Sequence, residues 1–218
     1  MNQLAQRNAL TKSDKQQDYI LVDCSSSMAD KWFESIGSID AYIAALRAAN
    51  VNSDVILHMF YTNNPDYIHS HTSIDQWVPM IESAPGPQGT TPLYDAVNLM
   101  GRRLRALDPP RASIVIVTDG DDSSSTTTAD QARMILDWIR AKGWQITFIG
   151  CDFSTSRMAK LLGASASAAI GVQKKLLTDA AKSLAKKRQN YGLYGTPMNW
   201  SEDEQKQFGG YLAAPDAK

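Results

Sequence analysis

Tyr19-Ile20-Leu21-Val22-Asp23-Cys24-Ser25-Ser26-Ser27-Met28 passes abruptly from an unbroken apolar run to an acid and three hydroxyls. A strand of Tyr19–Val22 has no polar face, so it must be covered on both sides, as in the middle of a mostly parallel sheet. The same texture recurs in Val55-Ile56-Leu57, Ile114-Val115-Ile116-Val117 and Ile146-Thr147-Phe148-Ile149. Between these runs the apolar period lengthens to three and four. Trp32, Ile36, Ile39, Ile43 and Leu46 follow it, as do Leu93, Val97, Met100, Leu104 and Leu107, and then Ala132, Ile135, Leu136 and Ile139. Apolar residues at that spacing form one helical stripe. Strands buried on both faces and alternating with amphipathic helices predict an α/β fold: a doubly wound, mostly parallel, Rossmann-like sheet with helices on both faces.

Further out, residues 68–77 (Ile68 to Trp77) read as a short edge strand, and residues 84–89 (Ala84-Pro85-Gly86-Pro87-Gln88-Gly89) as a loop. Pro92 suits the first turn of the helix that follows, where a missing N–H costs nothing. Lys174 to Gln189 reads as a last helix, its Lys and Arg residues taken as a solvated face that favours the helix dipole. The organisation expected is a polar leader over 1–17, one domain over 18–190 and an aromatic C-terminal extension over 191–218. The extension holds Tyr191, Tyr194, Trp200, Phe208 and Tyr211, and Ser201 with Glu204 fits a capping box before Gly209. Aromatic residues of this kind either fold back on their own domain or enter a partner.

Bulk composition narrows the function classes. With 218 residues, 43% hydrophobic, the chain can bury roughly 70% of its unfolded surface without disulfide help. A net charge of -1 gives no reason to expect a nucleic-acid partner. No apolar stretch approaches the ~18 residues of a membrane span, and residues 1–17 lack a signal-peptide core. Cys24 and Cys151 each close an apolar run, which suits reduced, buried thiols. A cytoplasmic protein without membrane contact is the expectation.

Three pieces carry chemistry. The first strand runs into Asp23-Cys24-Ser25-Ser26-Ser27, spaced D-x-S-x-S, and the strand ending at Val117 runs into Thr118-Asp119-Gly120-Asp121. Between them, Gly89-Thr90-Thr91-Pro92-Leu93-Tyr94-Asp95-Ala96 opens onto a helix. Each lies at the C-terminal end of a strand or the N-terminal end of a helix, the edge where open parallel sheets bind ligands. Hydroxyls and carboxylates are hard oxygen donors that suit Mg²⁺, Mn²⁺ or Ca²⁺, and no thiolate or imidazole set of a zinc site accompanies them.

In order and spacing, over residues 16–190, these pieces resemble the metal-ion-dependent adhesion site of the von Willebrand factor type A and integrin I-domain family. The resemblance implies Ser25 and Ser27 as direct hydroxyl ligands, with Asp23 and Asp119 reaching the metal through water. It selects Thr91, five positions before Ala96, with Thr90 as the rival, while Cys24 and Ser26 occupy variable positions. It also implies a site that switches between threonine and aspartate ligation. Stand-alone relatives act as adaptors or assembly factors, sometimes beside AAA+ ATPases, so the resemblance implies a non-enzymatic module that binds a protein partner's carboxylate through the cation.

Two other functions compete. A metal-assisted phosphohydrolase would use an open Mg²⁺ site, with Asp23 placed where haloacid-dehalogenase-type enzymes keep a nucleophile. Those enzymes need a second aspartate at the position Ser25 takes here, and no G-x-S-x-G, P-loop or G-x-G-x-x-G occurs. A structural component of a larger particle, such as a virion or secretion machine, assembled through the tail and with a non-essential metal site, is the other. His69 and His71 read as polar edge-strand residues and His58 as a satisfied core histidine. Asp121, Asp122, Cys151 and Asp152 read as loop residues near the same sheet edge.

Overall fold

A computed structural model describes residues 15–81 and 83–210. Its centre is a six-stranded sheet of β1 (Gln16–Asp23), β2 (Ser53–Tyr61), β3 (Asn64–Ser73), β4 (Ala112–Thr118), β5 (Gln145–Cys151) and β6 (Ala169–Val172). Strand order is β3-β2-β1-β4-β5-β6. Every pairing is parallel except that of β2 with β3. Chain direction across the sheet therefore reverses between β1 and β4, which makes that gap the topological switch point.

Strand alternation divides the core in two. Tyr19, Leu21, Ile114 and Ile116 point to one face, where they pack with α2 (Leu93–Leu107), α3 (Ala129–Ala141) and α4 (Ser156–Leu161). Ile20, Val22, Val115 and Val117 point to the other, against α1 (Trp32–Ala48) and α5 (Leu177–Tyr194). At about 1.5–3 kcal/mol for each large side chain removed from water, this two-sided burial fixes the register. The doubly wound, mostly parallel α/β architecture expected from the apolar runs is the one observed.

Several boundaries differ from the sequence reading. The edge strand β3 starts at Asn64, not Ile68, and stops at Ser73, because a tight hairpin from Tyr61 to Asn64 pairs it directly with β2. Trp77 leaves the strand for the core, where its indole N–H donates to Asp40 Oδ1 at 2.9 Å. Pro92 sits at the N-cap, one residue before α2. Gln16 and Gln17, placed in the leader by the sequence, belong to β1; residues 1–14 lie outside the described part. The last helix runs on to Tyr194 after a 3-10 turn at Lys174–Leu176 and stops where Gly195 takes φ +72°.

Arg188 departs furthest from expectation. It is 0% exposed, not on a solvated face, and its Nε and NH2 donate to Asp18 Oδ1 and Oδ2 at 2.8 and 2.9 Å. NH1 donates to Gln16 Oε1 at 2.9 Å, and Tyr42 donates to Asp18 Oδ1 at 2.9 Å. A guanidinium is the group that can satisfy both oxygens of a buried carboxylate at once.

The tail up to Gly210 folds back. Tyr191, Met198, Trp200 and Phe208 are buried, and Trp200 stacks edge-on with Phe208 at 6.0 Å. The Ser201–Glu204 capping box forms, and a short helix, Glu202–Glu204, widens into a π turn over Gln205–Gly209. Trp200 N donates to Ser167 O, Gln173 N to Phe208 O, and the Gln205 amide to Ala166 O. These bonds flank β6 at both ends, and the Gln205 amide also donates to Ala169 O at 3.3 Å, so the tail lies against the open edge of β6. Tyr194 remains 74% exposed, and Tyr211 lies outside the described residues. Among the described residues no helix is long and apolar enough to cross a membrane.

Candidate metal centre

The loops after β1 and β4 meet at the switch point because the strands that feed them are neighbours in the sheet. Asp23, the last residue of β1, is fully buried. Its Oδ1 accepts the Ser25 N–H at 2.8 Å and its Oδ2 accepts the Thr118 hydroxyl at 2.7 Å. Burial pushes the Asp23 carboxyl up to about 6, against the hydrogen bonds from Thr118 and Ser25, and the negative charge of Asp119 adds to the rise. A 3-10 turn over Ser26–Lys31 then brings the serines round. Ser25 Oγ and Ser27 Oγ share a hydrogen bond at 3.0 Å, and Ser27 Oγ donates to Asp119 Oδ1 at 2.8 Å. Ser25 is buried and Ser27 exposed, so the row of oxygens runs from the core to the surface.

The third segment is laced to the first two. Ser26 N donates to Gly89 O and Gln88 N to Cys24 O, at 3.0 and 2.8 Å. Gly89 holds φ +70°, and a Cβ there would stand 2.9 Å from Thr62 Oγ1, so the tight approach of this loop requires glycine. Thr90 has its hydroxyl engaged with those of Thr62 and Ser124. Thr91 is buried; its N–H donates to Ser123 Oγ and its carbonyl accepts from Ser123 N, and its hydroxyl makes no hydrogen bond among the described residues.

Asp23, Ser25, Ser27 and Asp119 are thus joined through direct hydrogen bonds, and the loop that carries Thr91 is tied to the first segment through Gln88 and Gly89, with Thr91 itself bonded to Ser123. Two participants escape the sequence reading. Thr118 anchors Asp23; its place directly before Asp119 was the available signal. Lys31 donates to Asp119 Oδ2 at 3.2 Å and to Ser27 O at 3.1 Å, and no motif spacing announces it. Asp122 accepts from Tyr94 N and from Ser125, and Asp152 accepts from Lys174 N, so both hold loops together. Asp121 is exposed. His58 is a satisfied core residue, bonded to Tyr19 OH at 2.8 Å and to Pro65 O at 2.7 Å. A bulge at His69 interrupts the strand alternation that would place it on one face with His71. Both cysteines are free and buried.

The donor set suits a hard divalent ion. Oxygens adjacent in an octahedral Mg²⁺ shell with bonds of about 2.1 Å lie about 3.0 Å apart, which is the spacing of the serine pair. Among the described residues no group of three or more His, Cys, Asp or Glu gathers that could hold a metal ion.

Solved structures show what scaffold positions these loops. The pilus adhesin SpaC from Lactobacillus rhamnosus GG, in an open conformation, superposes with a TM-score of 0.65 at 10% identity, over 85% of this chain and 31% of that one. The vWF domain of the type V pili tip protein Mfa5 from Porphyromonas gingivalis matches with a TM-score of 0.65 at 12% identity, over 85% of this chain and 97% of that domain. The fold is that of a von Willebrand factor type A domain. The manganese-loaded TRAP protein of Plasmodium vivax is similar too, with a TM-score of 0.56 at 16% identity, over 78% of this chain and 72% of that one. This chain spans about a third of SpaC but nearly all of the Mfa5 domain. No protein-family model and no curated protein sequence matches it.

Proposed function

We propose that this type A domain holds a divalent cation, Mg²⁺ or Mn²⁺ before Ca²⁺, and uses it to bind an acidic side chain of a protein partner. The observation that carries the proposal is the continuous row of oxygens Ser25–Ser27–Asp119, backed by Asp23, at the switch point of the sheet. Ser25, Ser27 and Thr91 offer neutral hydroxyls as ligands. Asp23 and Asp119 orient them, Asp23 through the Ser25 backbone and Asp119 through the Ser27 hydroxyl. Thr91 is preferred to Thr90 because the Thr90 hydroxyl is committed to Thr62 and Ser124. Neutral ligands leave a bound cation most of its charge, and that charge is what attracts a partner's carboxylate.

The manganese-loaded state of TRAP supports the metal, and the adhesin and pilus-tip proteins support a role in protein contact rather than catalysis. Within that coarser role we propose an adaptor or assembly module. The test is calorimetric titration of EDTA-stripped protein with MgCl₂ and MnCl₂, alongside Asp23→Ala and Ser27→Ala. Saturable binding that raises the melting temperature of the natural chain, and is lost in both variants, is expected; at one hundred times Kd the stabilisation is about 2.7 kcal/mol. Absence of binding in the natural chain contradicts the proposal.

A further inference from the structure

Lys31 closes the 3-10 turn that carries Ser27 and returns its ammonium to the candidate metal centre. Nζ lies 3.2 Å from Asp119 Oδ2, 3.1 Å from Ser27 O and 2.8 Å from Asp30 Oδ1. Asp119 is therefore divided, with one oxygen on the Ser27 hydroxyl and the other on a lysine. Its side chain is 2% exposed and that of Lys31 16%, so the pair meets where water screens it poorly. The turn also offers the lysine a second seat. Asp30 is exposed and already holds the ammonium, and Lys174 Nζ borders it, 3.1 Å from Asp30 O and 3.6 Å from Oδ2.

We infer that Lys31 is a tethered cation that competes with the divalent ion for Asp119 and so sets how tightly the centre is loaded. The inference rests on the metal-binding reading of the same residues. An ammonium and a divalent ion repel each other strongly at such short range, so loading moves the ammonium off Asp119 and leaves it on Asp30, which it already touches at 2.8 Å. While unloaded, Lys31 neutralises Asp119 and keeps the Ser27 loop in place. The centre thus carries its own weak substitute for the metal, and the cation concentration at which the domain becomes competent for a partner is raised by it.

The experiment is calorimetric titration of the full chain with MnCl₂ and MgCl₂, comparing the natural protein with Lys31→Met, Lys31→Gln, Lys31→Arg and Asp23→Ala, each checked by its thermal melt. Lys31→Met and Lys31→Gln are expected to bind Mn²⁺ about tenfold tighter or more, and to melt lower than the natural chain when metal-free. Lys31→Arg, which keeps the charge, stays within about threefold of the natural protein. Binding that vanishes in Asp23→Ala yet is unchanged or weaker in Lys31→Met and Lys31→Gln overturns the competition while leaving the metal site standing. Binding in the two neutral variants but not in the natural chain supports the competition and overturns the metal-dependent reading of the natural protein. No binding in any of them overturns both.

Discussion

Replacing Arg188 by Met should be among the most damaging single changes in this molecule, although it lies at the opposite end of β1 from Asp23. Arg188 and Asp18 are 0% and 1% exposed, and the guanidinium satisfies both carboxylate oxygens. Removing it strands a negative charge that, among the described residues, keeps only the Tyr42 hydroxyl as a side-chain partner at Oδ1. Breaking one side of such a buried pair costs about 3–5 kcal/mol, against a total stability of about 5–15 kcal/mol for a domain. At about 2–4 °C per kcal/mol for a chain of this size, the melting temperature should fall by roughly 10 °C. The penalty is that of an unpaired charge, so Asp18→Asn combined with Arg188→Met should recover at least half of it, since an asparagine oxygen still accepts from Tyr42. Urea unfolding followed by tryptophan fluorescence gives both values. A single-variant loss below about 1 kcal/mol, or a double variant no better than Arg188→Met alone, refutes the reasoning.

Three other outcomes follow from different parts of the fold. Burial holds His58 at about 4, below its ordinary 6.5, so it is neutral in the folded state. Its contribution is complete above about pH 6.5 and is lost as pH falls toward 4, by about 3 kcal/mol in all; unfolding measured across that window should show the loss, and His58→Gln should flatten it. Trp200→Ala should cost about 3 kcal/mol by emptying the tail's seat in the core; an unchanged melting temperature would make the tail a separate arm. Gly89→Ala should cost about 1–2 kcal/mol, through its φ of +70° and the 2.9 Å approach to Thr62, and should weaken cation binding because Gly89 O holds Ser26 N; unaltered metal affinity would detach that loop from the centre.

The central strands were legible because burial on both faces leaves a mark in sequence, a run of three or four almost unbroken apolar residues, that few other structures share. β6 and α4 left none: Ala169–Val172 is short and contains a glycine, and Ser156–Leu161 is too brief to show a helical period. The proximity of Asp23, Ser25, Ser27 and Asp119 was legible because all four lie at or just beyond the ends of β1 and β4, which are neighbours in the sheet. Lys31 was not, since its place at Asp119 depends on the path of a 3-10 turn rather than on spacing. Arg188 was misread because a run of basic residues looks solvated until the carboxylate facing one of them is known, and Asp18 lies 170 residues earlier in the chain. Aromatic enrichment in the tail signalled burial without saying against what. The uncovered edge of β6 supplies the answer, and it could be recognised only once β6 itself was in view.

The most direct measurement is the structure of crystals grown in saturating MnCl₂, with data collected at the manganese absorption edge. An anomalous peak within coordination distance of Ser25 Oγ and Ser27 Oγ, with the Lys31 ammonium moved from Asp119, is the expected result. Fully ordered loops with no peak between those oxygens, or manganese bound only elsewhere on the chain, would contradict it.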